Sequence, residues 1–179
     1  MPPTTPSPWR IVLHWNAGSV TPPPNAVEWL DYHFLIYPDG RVTPTQRKPE
    51  DNIPVGGRFI KPYAPHVLNA NAYSIGICML GMSGNVTPTQ HGPHPLTFKQ
   101  WHAAVKLCAQ LSCKYNIDPS RRTIAGHGEI AELWGIPQRG KWDPFVAFAE
   151  WKPMIGDSTK PTDIGDIFRK AVNDAITPF

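Results

Sequence analysis

The stretch "RIVLHW", Arg10–Trp15, decides the fold. It is a short apolar run of β-formers without the polar/apolar alternation of a half-wet strand, the pattern of a central, covered strand. Outward from it, "NAGSVTPPPN" breaks the run with glycine and prolines, and "YHFLIYPDGRVTPT" (32–45) reads as a strand, a Pro-Asp-Gly turn and a second strand. Residues 46–72 are loop-like. "YSIGICMLG" (73–81) is a further buried strand, and "RTIAG" (122–126) another. Strands interspersed with helices predict an α/β class: a single domain with a central mixed β-sheet flanked by helices.

The clearest helix is "LTFKQWHAAVKLCAQLSCKYN" (96–116). Thr97 and Gln100 have capping-box spacing, and Phe98, Trp101, Ala104, Val105, Cys108, Leu111 and Tyr115 form one apolar stripe. Cys108 and Cys113 share this helix, and five residues rise about 7.5 Å, too far for a bridge. Free thiols are expected there and at Cys78. A short helix is expected at 144–151 and an amphipathic one at 163–176, with Ile164, Ile167, Phe168, Ala171 and Ala175 on one side. The organisation reads as a proline-rich arm (1–8), a main folded domain (9–151) and a C-terminal extension (152–179) whose helix docks on the domain.

Composition narrows the classes. Of 179 residues, 41% are hydrophobic and 17% charged, which is globular rather than disordered. The net charge is only +3, and no run of lysine and arginine exceeds two, so a nucleic-acid face is not expected. No apolar stretch reaches the ~18 residues of a membrane span, and no signal peptide is visible. The expectation is a monomer made in a cytoplasm.

The chemistry gathers at strand ends, where α/β folds place their sites. His14 closes the first strand, His127 directly follows the last, and Asp143 lies beyond the next loop. Two imidazoles and a carboxylate suffice for a catalytic zinc, which keeps one position open. Lys141 is two residues before Asp143, so an extended segment points both side chains the same way. Spacing alone does not make three scattered residues a metal site.

The same segments resemble a known family. "IVLHWNAG", "YHFLIYPDGRV", "NAYSIGICMLG", "IAGHGEIA" and "KWDPF" stand in the order and approximate spacing of the zinc-dependent N-acetylmuramoyl-L-alanine amidases, the amidase-2 family. That family includes bacteriophage endolysins, AmpD-like amidases and peptidoglycan recognition proteins. Each motif is weakly specific alone; five in order, over roughly residues 9–148, are strongly so. The resemblance implies Zn2+ on His14, His127 and Asp143, with Tyr32 and Lys141 as catalytic residues facing substrate. It implies hydrolysis of the amide between the lactyl group of N-acetylmuramic acid and L-alanine, with the glycan strand and stem peptide of peptidoglycan as partners. His66 and Asn71 match site-lining positions, and Trp15 is placed to form a cleft wall.

Two departures matter. AmpD-like members often place a glutamate base where this chain has Cys78, which favours the Tyr/Lys arrangement of the phage enzymes. The segment between His127 and Asp143 is long, with "ELWGIPQRG" expanded, so Glu129 and Glu132 are rivals to Asp143. His33 adjoins Tyr32 on a strand and should face the opposite way. The leading expectation is a phage-type endolysin, made in the host bacterial cytoplasm and acting on the cell wall after release. The alternatives are a cytosolic AmpD-like recycling amidase and a non-catalytic peptidoglycan-binding module.

Overall fold

In a computed structural model, which describes residues 6–176, β1 (Arg10–Trp15) lies inside a five-stranded mixed sheet. It runs parallel to β4 (Ser74–Met79) on one side and to β5 (Ile124–Gly126) on the other. Beyond β4 come β2 (Phe34–Ile36), parallel to it, and β3 (Val42–Pro44), antiparallel to β2, giving the order β3-β2-β4-β1-β5. All of β4, and all of β1 except Arg10, is buried, as expected of parallel strands covered on both faces. The β2–β3 hairpin turns where the Pro-Asp-Gly signal stands, with Gly40 N–H donating to Tyr37 O at 2.8 Å.

Among the described residues there are five α-helices: α1 (Glu28–Asp31), α2 (Phe98–Tyr115), α3 (Ile130–Trp134), α4 (Lys152–Ile155) and α5 (Pro161–Ala175). The capping box of α2 forms as expected, Thr97 Oγ1 accepting from Gln100 N and Gln100 Oε1 from Thr97 N, at 3.1 and 3.0 Å. Gln100 then donates through Nε2 to Ile36 O and Leu80 O, fastening the helix to β2 and to the end of β4. Trp101, Ala104, Val105, Cys108 and Leu111 enter the core, but Phe98 stays 44% exposed beside His102. All three cysteines are free.

One expectation about an element fails. The helix expected at 144–151 starts only with a 3-10 turn at Ala149–Trp151 leading into α4. Pro144, Phe145, Val146 and Phe148 are all buried, which a one-sided helix could not achieve. In α5 the inward residues are Ile164, Gly165, Phe168, Arg169 and Val172, while Ala175 is exposed. Ile167 and Ala171 pack partly buried against the core, so the expected stripe holds except at Ala175, with Arg169 added to it. α5 packs against α2, with Phe168 meeting Trp101 edge-on at 5.2 Å, and the preceding 3-10 turn adds Trp151 at 4.8 Å from Trp101. The arm's residues 1–5 and the extension's residues 177–179 lie outside the described residues. Among the described residues, no helix is long and apolar enough to cross a membrane.

Candidate metal site and substrate cleft

The register of the sheet builds the site. Leu13 pairs with Gly126 across β1 and β5, so the residues that follow, His14 and His127, emerge side by side at one strand end. Asp143 reaches them from the loop, whose backbone is tied to the His127 turn by Gly128 N–H donating to Asp143 O at 2.6 Å. Nδ1 of His14 lies 3.1 Å from Nδ1 of His127. The two carboxylate oxygens of Asp143 stand 3.6 Å from the first and 3.5 Å from the second. All three side chains are buried.

Their outer partners fix the tautomers. Gln138 Nε2 donates to the carbonyls of Leu68 and Ile136, so its Oε1 is the atom facing His127 Nε2 at 3.0 Å. His127 therefore carries its proton on Nε2 and leaves Nδ1 bare. On the other side, Ser74 O accepts from His66 Nε2 at 3.4 Å, leaving His66 Nδ1 to accept from His14 Nε2 at 3.1 Å. His14 Nδ1 is then also a lone pair. Gly76 makes room for this relay, since a Cβ there would lie 2.5 Å from His66 Cγ.

Two lone pairs and a carboxylate thus face one point. Burial pulls the His14 imidazolium down to about 4, so His14 is neutral at neutral pH, and burial holds His66 behind it well below the ordinary range. A cation satisfies such a set. For a tetrahedral zinc with ligand bonds of about 2.0–2.2 Å, donor atoms stand about 3.3–3.6 Å apart, close to the spacings seen here. The donor set, its spacing and its outer hydrogen bonds all fit zinc.

The cluster opens into a cleft of about 560 Å³. Tyr32, Lys141, Trp15, His66 and Asn71 all line it, together with His127 and Asp143. Tyr32 has its ring 5.2 Å from that of His14. Burial, with Cys78 and Asp143 nearby, raises its phenol well above the ordinary value, so it is a proton donor at neutral pH. Lys141 is exposed at the rim. Trp15 packs edge-on against Trp142 at 4.7 Å, and Asn71 Oδ1 accepts from Val67 N at 2.9 Å. His66 has a second duty that the sequence did not suggest, the hydrogen bond to His14.

The rivals to Asp143 lie elsewhere: Glu129 binds Gly126 N–H and Arg169, and Glu132 is exposed on α3. Cys78 pairs with His14 in register and is buried, and burial raises its thiol well above the ordinary value, so no base stands there. His33 does not line the cleft; its ring lies 5.7 Å from that of His66, with Nδ1 accepting from Gly76 N at 2.8 Å and Nε2 donating to Asn52 Oδ1 at 3.1 Å. Gln138 went unnoticed in the sequence because a glutamine in a loop carries no motif; the expanded segment around it was the only signal.

The Amidase_2 profile, N-acetylmuramoyl-L-alanine amidase, matches residues 4–145. The chain belongs to this family. It is accordingly an enzyme, an N-acetylmuramoyl-L-alanine amidase acting on peptidoglycan. Among solved structures, the Staphylococcus aureus hydrolase AmiA shares the fold, with a TM-score of 0.52 at 12% identity over 97% of this chain and 78% of that one. The amidase LysC from Clostridium intestinale aligns at 21% identity and a TM-score of 0.48, over 78% and 80% of the two chains. An endolysin of a Thermus scotoductus bacteriophage aligns at 22% identity and a TM-score of 0.44, over 78% and 81%. No curated protein sequence matches.

Proposed function

We propose that this amidase holds a zinc ion on His14 Nδ1, His127 Nδ1 and the Asp143 carboxylate, and cuts the bond between the lactyl group and L-alanine as a phage-type endolysin. The observation that carries the reading is the meeting of two bare imidazole nitrogens and a carboxylate, 3.1–3.6 Å apart, beneath an open cleft. When bound, zinc supplies Lewis acidity, polarising an amide carbonyl and lowering the pKa of water toward about 7.

The chain's own residues do the rest. Lys141 brings an ammonium group to the rim, where it neutralises negative charge growing on the carbonyl oxygen in the transition state. Tyr32, protonated, donates a hydrogen bond to substrate from beside His14 and does not act as the base. Trp15, His66 and Asn71 shape the wall against which the sugar and peptide lie. Arg139 and Lys141 make the cleft cationic, which suits the carboxylates of a stem peptide. A thiol at Cys78, where a recycling amidase of the AmpD kind would carry a carboxylate base, favours the endolysin reading.

Metal analysis and sacculus digestion on wild type and His127→Ala test it. Wild type should carry stoichiometric zinc, clear purified sacculi and release new L-alanine amino termini; His127→Ala should do none of these. Zinc-free wild type that still cleaves overturns the metal assignment. Cleavage confined to soluble muropeptides replaces the endolysin reading with the recycling one.

A further inference from the structure

The C-terminal segment, beyond the family match, sends a buried cation to the back of the site. Arg169 of α5 is 4% exposed. Its Nη1 and Nη2 donate to Glu129 Oε2 and Oε1 at 3.1 and 2.9 Å, and Nη1 also to Ile124 O at 3.0 Å. Glu129 Oε2 in turn accepts from Gly126 N at 2.7 Å. Ile124 and Gly126 belong to β5, and Glu129 ends the 3-10 turn His127–Glu129. One guanidinium therefore grips the chain on both sides of His127.

Two further features point the same way. Asp166 receives Arg169 Nη2 at 2.8 Å and Arg121 Nε at 2.9 Å, which holds the fork in plane from behind. Gly165 stands inside α5, where glycine weakens a helix, and a Cβ there would lie 2.2 Å from Glu129 Oε1. The bare helix surface is what lets α5 approach the turn. A buried ion pair is not in general more stabilising than an apolar contact of the same size, but a guanidinium fork is directional.

We propose that Arg169 is a positioning residue for the amidase reaction: acting through Glu129, it fixes the turn that aims His127 Nδ1 at His14 and Asp143. The proposal rests on the zinc reading of the site and extends it by giving the C-terminal helix a part in metal binding.

Three variants test it. Arg169→Lys keeps the charge and loses the fork. Glu129→Gln with Arg169→Met removes both charges and keeps the volume. Leu111→Ala, in the core face of α2, is a control for general destabilisation. Zinc dissociation constants by chelator competition, at a temperature where the proteins are folded, should weaken about tenfold to a hundredfold in both Arg169 variants and stay unchanged in the control. In metal-free protein, amide exchange at Gly126 and Gly128 should accelerate tenfold or more relative to the amides of β4, again only in the Arg169 variants. Wild-type zinc affinity in both Arg169 variants, or an equal loss in Leu111→Ala, overturns the proposal, as does failure of both Arg169 variants to fold. Should wild type bind no zinc, the metal assignment falls and exchange decides alone: unchanged rates at Gly126 and Gly128 refute the positioning role, and faster rates support it.

Discussion

Replacing Gln138 with leucine removes the acceptor that keeps the proton of His127 on Nε2. Gln138 is 4% exposed and spans three groups: it accepts from His127 Nε2 at 3.0 Å and donates to Leu68 O at 2.9 Å and Ile136 O at 3.3 Å. Leucine preserves the volume and makes none of these bonds. A buried imidazole N–H left without a partner costs about 1–3 kcal/mol. The imidazole can escape part of that cost by moving its proton to Nδ1, the atom that must be bare for a metal. Outer hydrogen bonds of this kind are worth about 10–100-fold in metal affinity, or about 1.4–2.7 kcal/mol. Chelator competition on Gln138→Leu should therefore show zinc binding weaker by that factor, with a lowered Tm. Gln138→Glu separates the two effects: a carboxylate accepts from Nε2–H and keeps zinc affinity, but it faces the Leu68 and Ile136 carbonyls and loses stability. Wild-type zinc affinity in Gln138→Leu would refute the tautomer argument.

Other consequences follow from the same geometry. Burial lowers the His33 imidazolium from its ordinary 6.5 to about 4, and protonation at Nδ1 would also turn a donor toward Gly76 N–H. The folded state thus prefers neutral His33, so its contribution is whole above pH 6.5 and is lost as pH falls toward 4. The His33 part of that loss is about 1.4 kcal/mol per unit and about 3 kcal/mol in all; because burial depresses His14 and His66 in the same direction, it is read as the pH-dependent difference in urea unfolding between metal-free wild type and His33→Gln. A difference that stays constant from about pH 7 to about pH 4 would refute it. Lys141→Ala should keep its zinc and its fold while turnover falls about 10²–10³-fold; metal loss or near-normal activity would remove Lys141 from catalysis. Truncation after Trp151 strips Ile164, Phe168 and Val172, each at most 1% exposed, from the core. At about 1.5–3 kcal/mol per side chain this consumes most of a typical folding free energy of about 5–15 kcal/mol, so the shortened chain should aggregate or unfold. A soluble fragment of equal Tm would contradict the packing.

Much of the site could be read along the chain because its pieces sit in local patterns. The histidines stand at the ends of apolar runs that can only be covered strands, and Lys141 and Asp143 lie two apart. Where the reading failed, the deciding contact was remote in sequence. Ala175 is assigned inward by helical period alone and stays exposed, while the charged Arg169 is buried against Glu129, forty residues earlier, a contact no local pattern announces. The helix expected from residue 144 does not form there, because Pro144, Phe145, Val146 and Phe148 are all buried and leave little wet face for a helix to present.

The sequence by itself determined the class of sheet, the capped helix α2, the family and the donor types, since each depends on neighbours a few residues apart. Only the tertiary structure decided that Asp143 rather than Glu129 meets the histidines, that Gln138 and His66 set their tautomers, and that Arg169 holds the turn from behind. Those choices depend on which lone pairs and charges converge in a space without water, where every polar group must find its partner, and no one-dimensional spacing encodes that convergence.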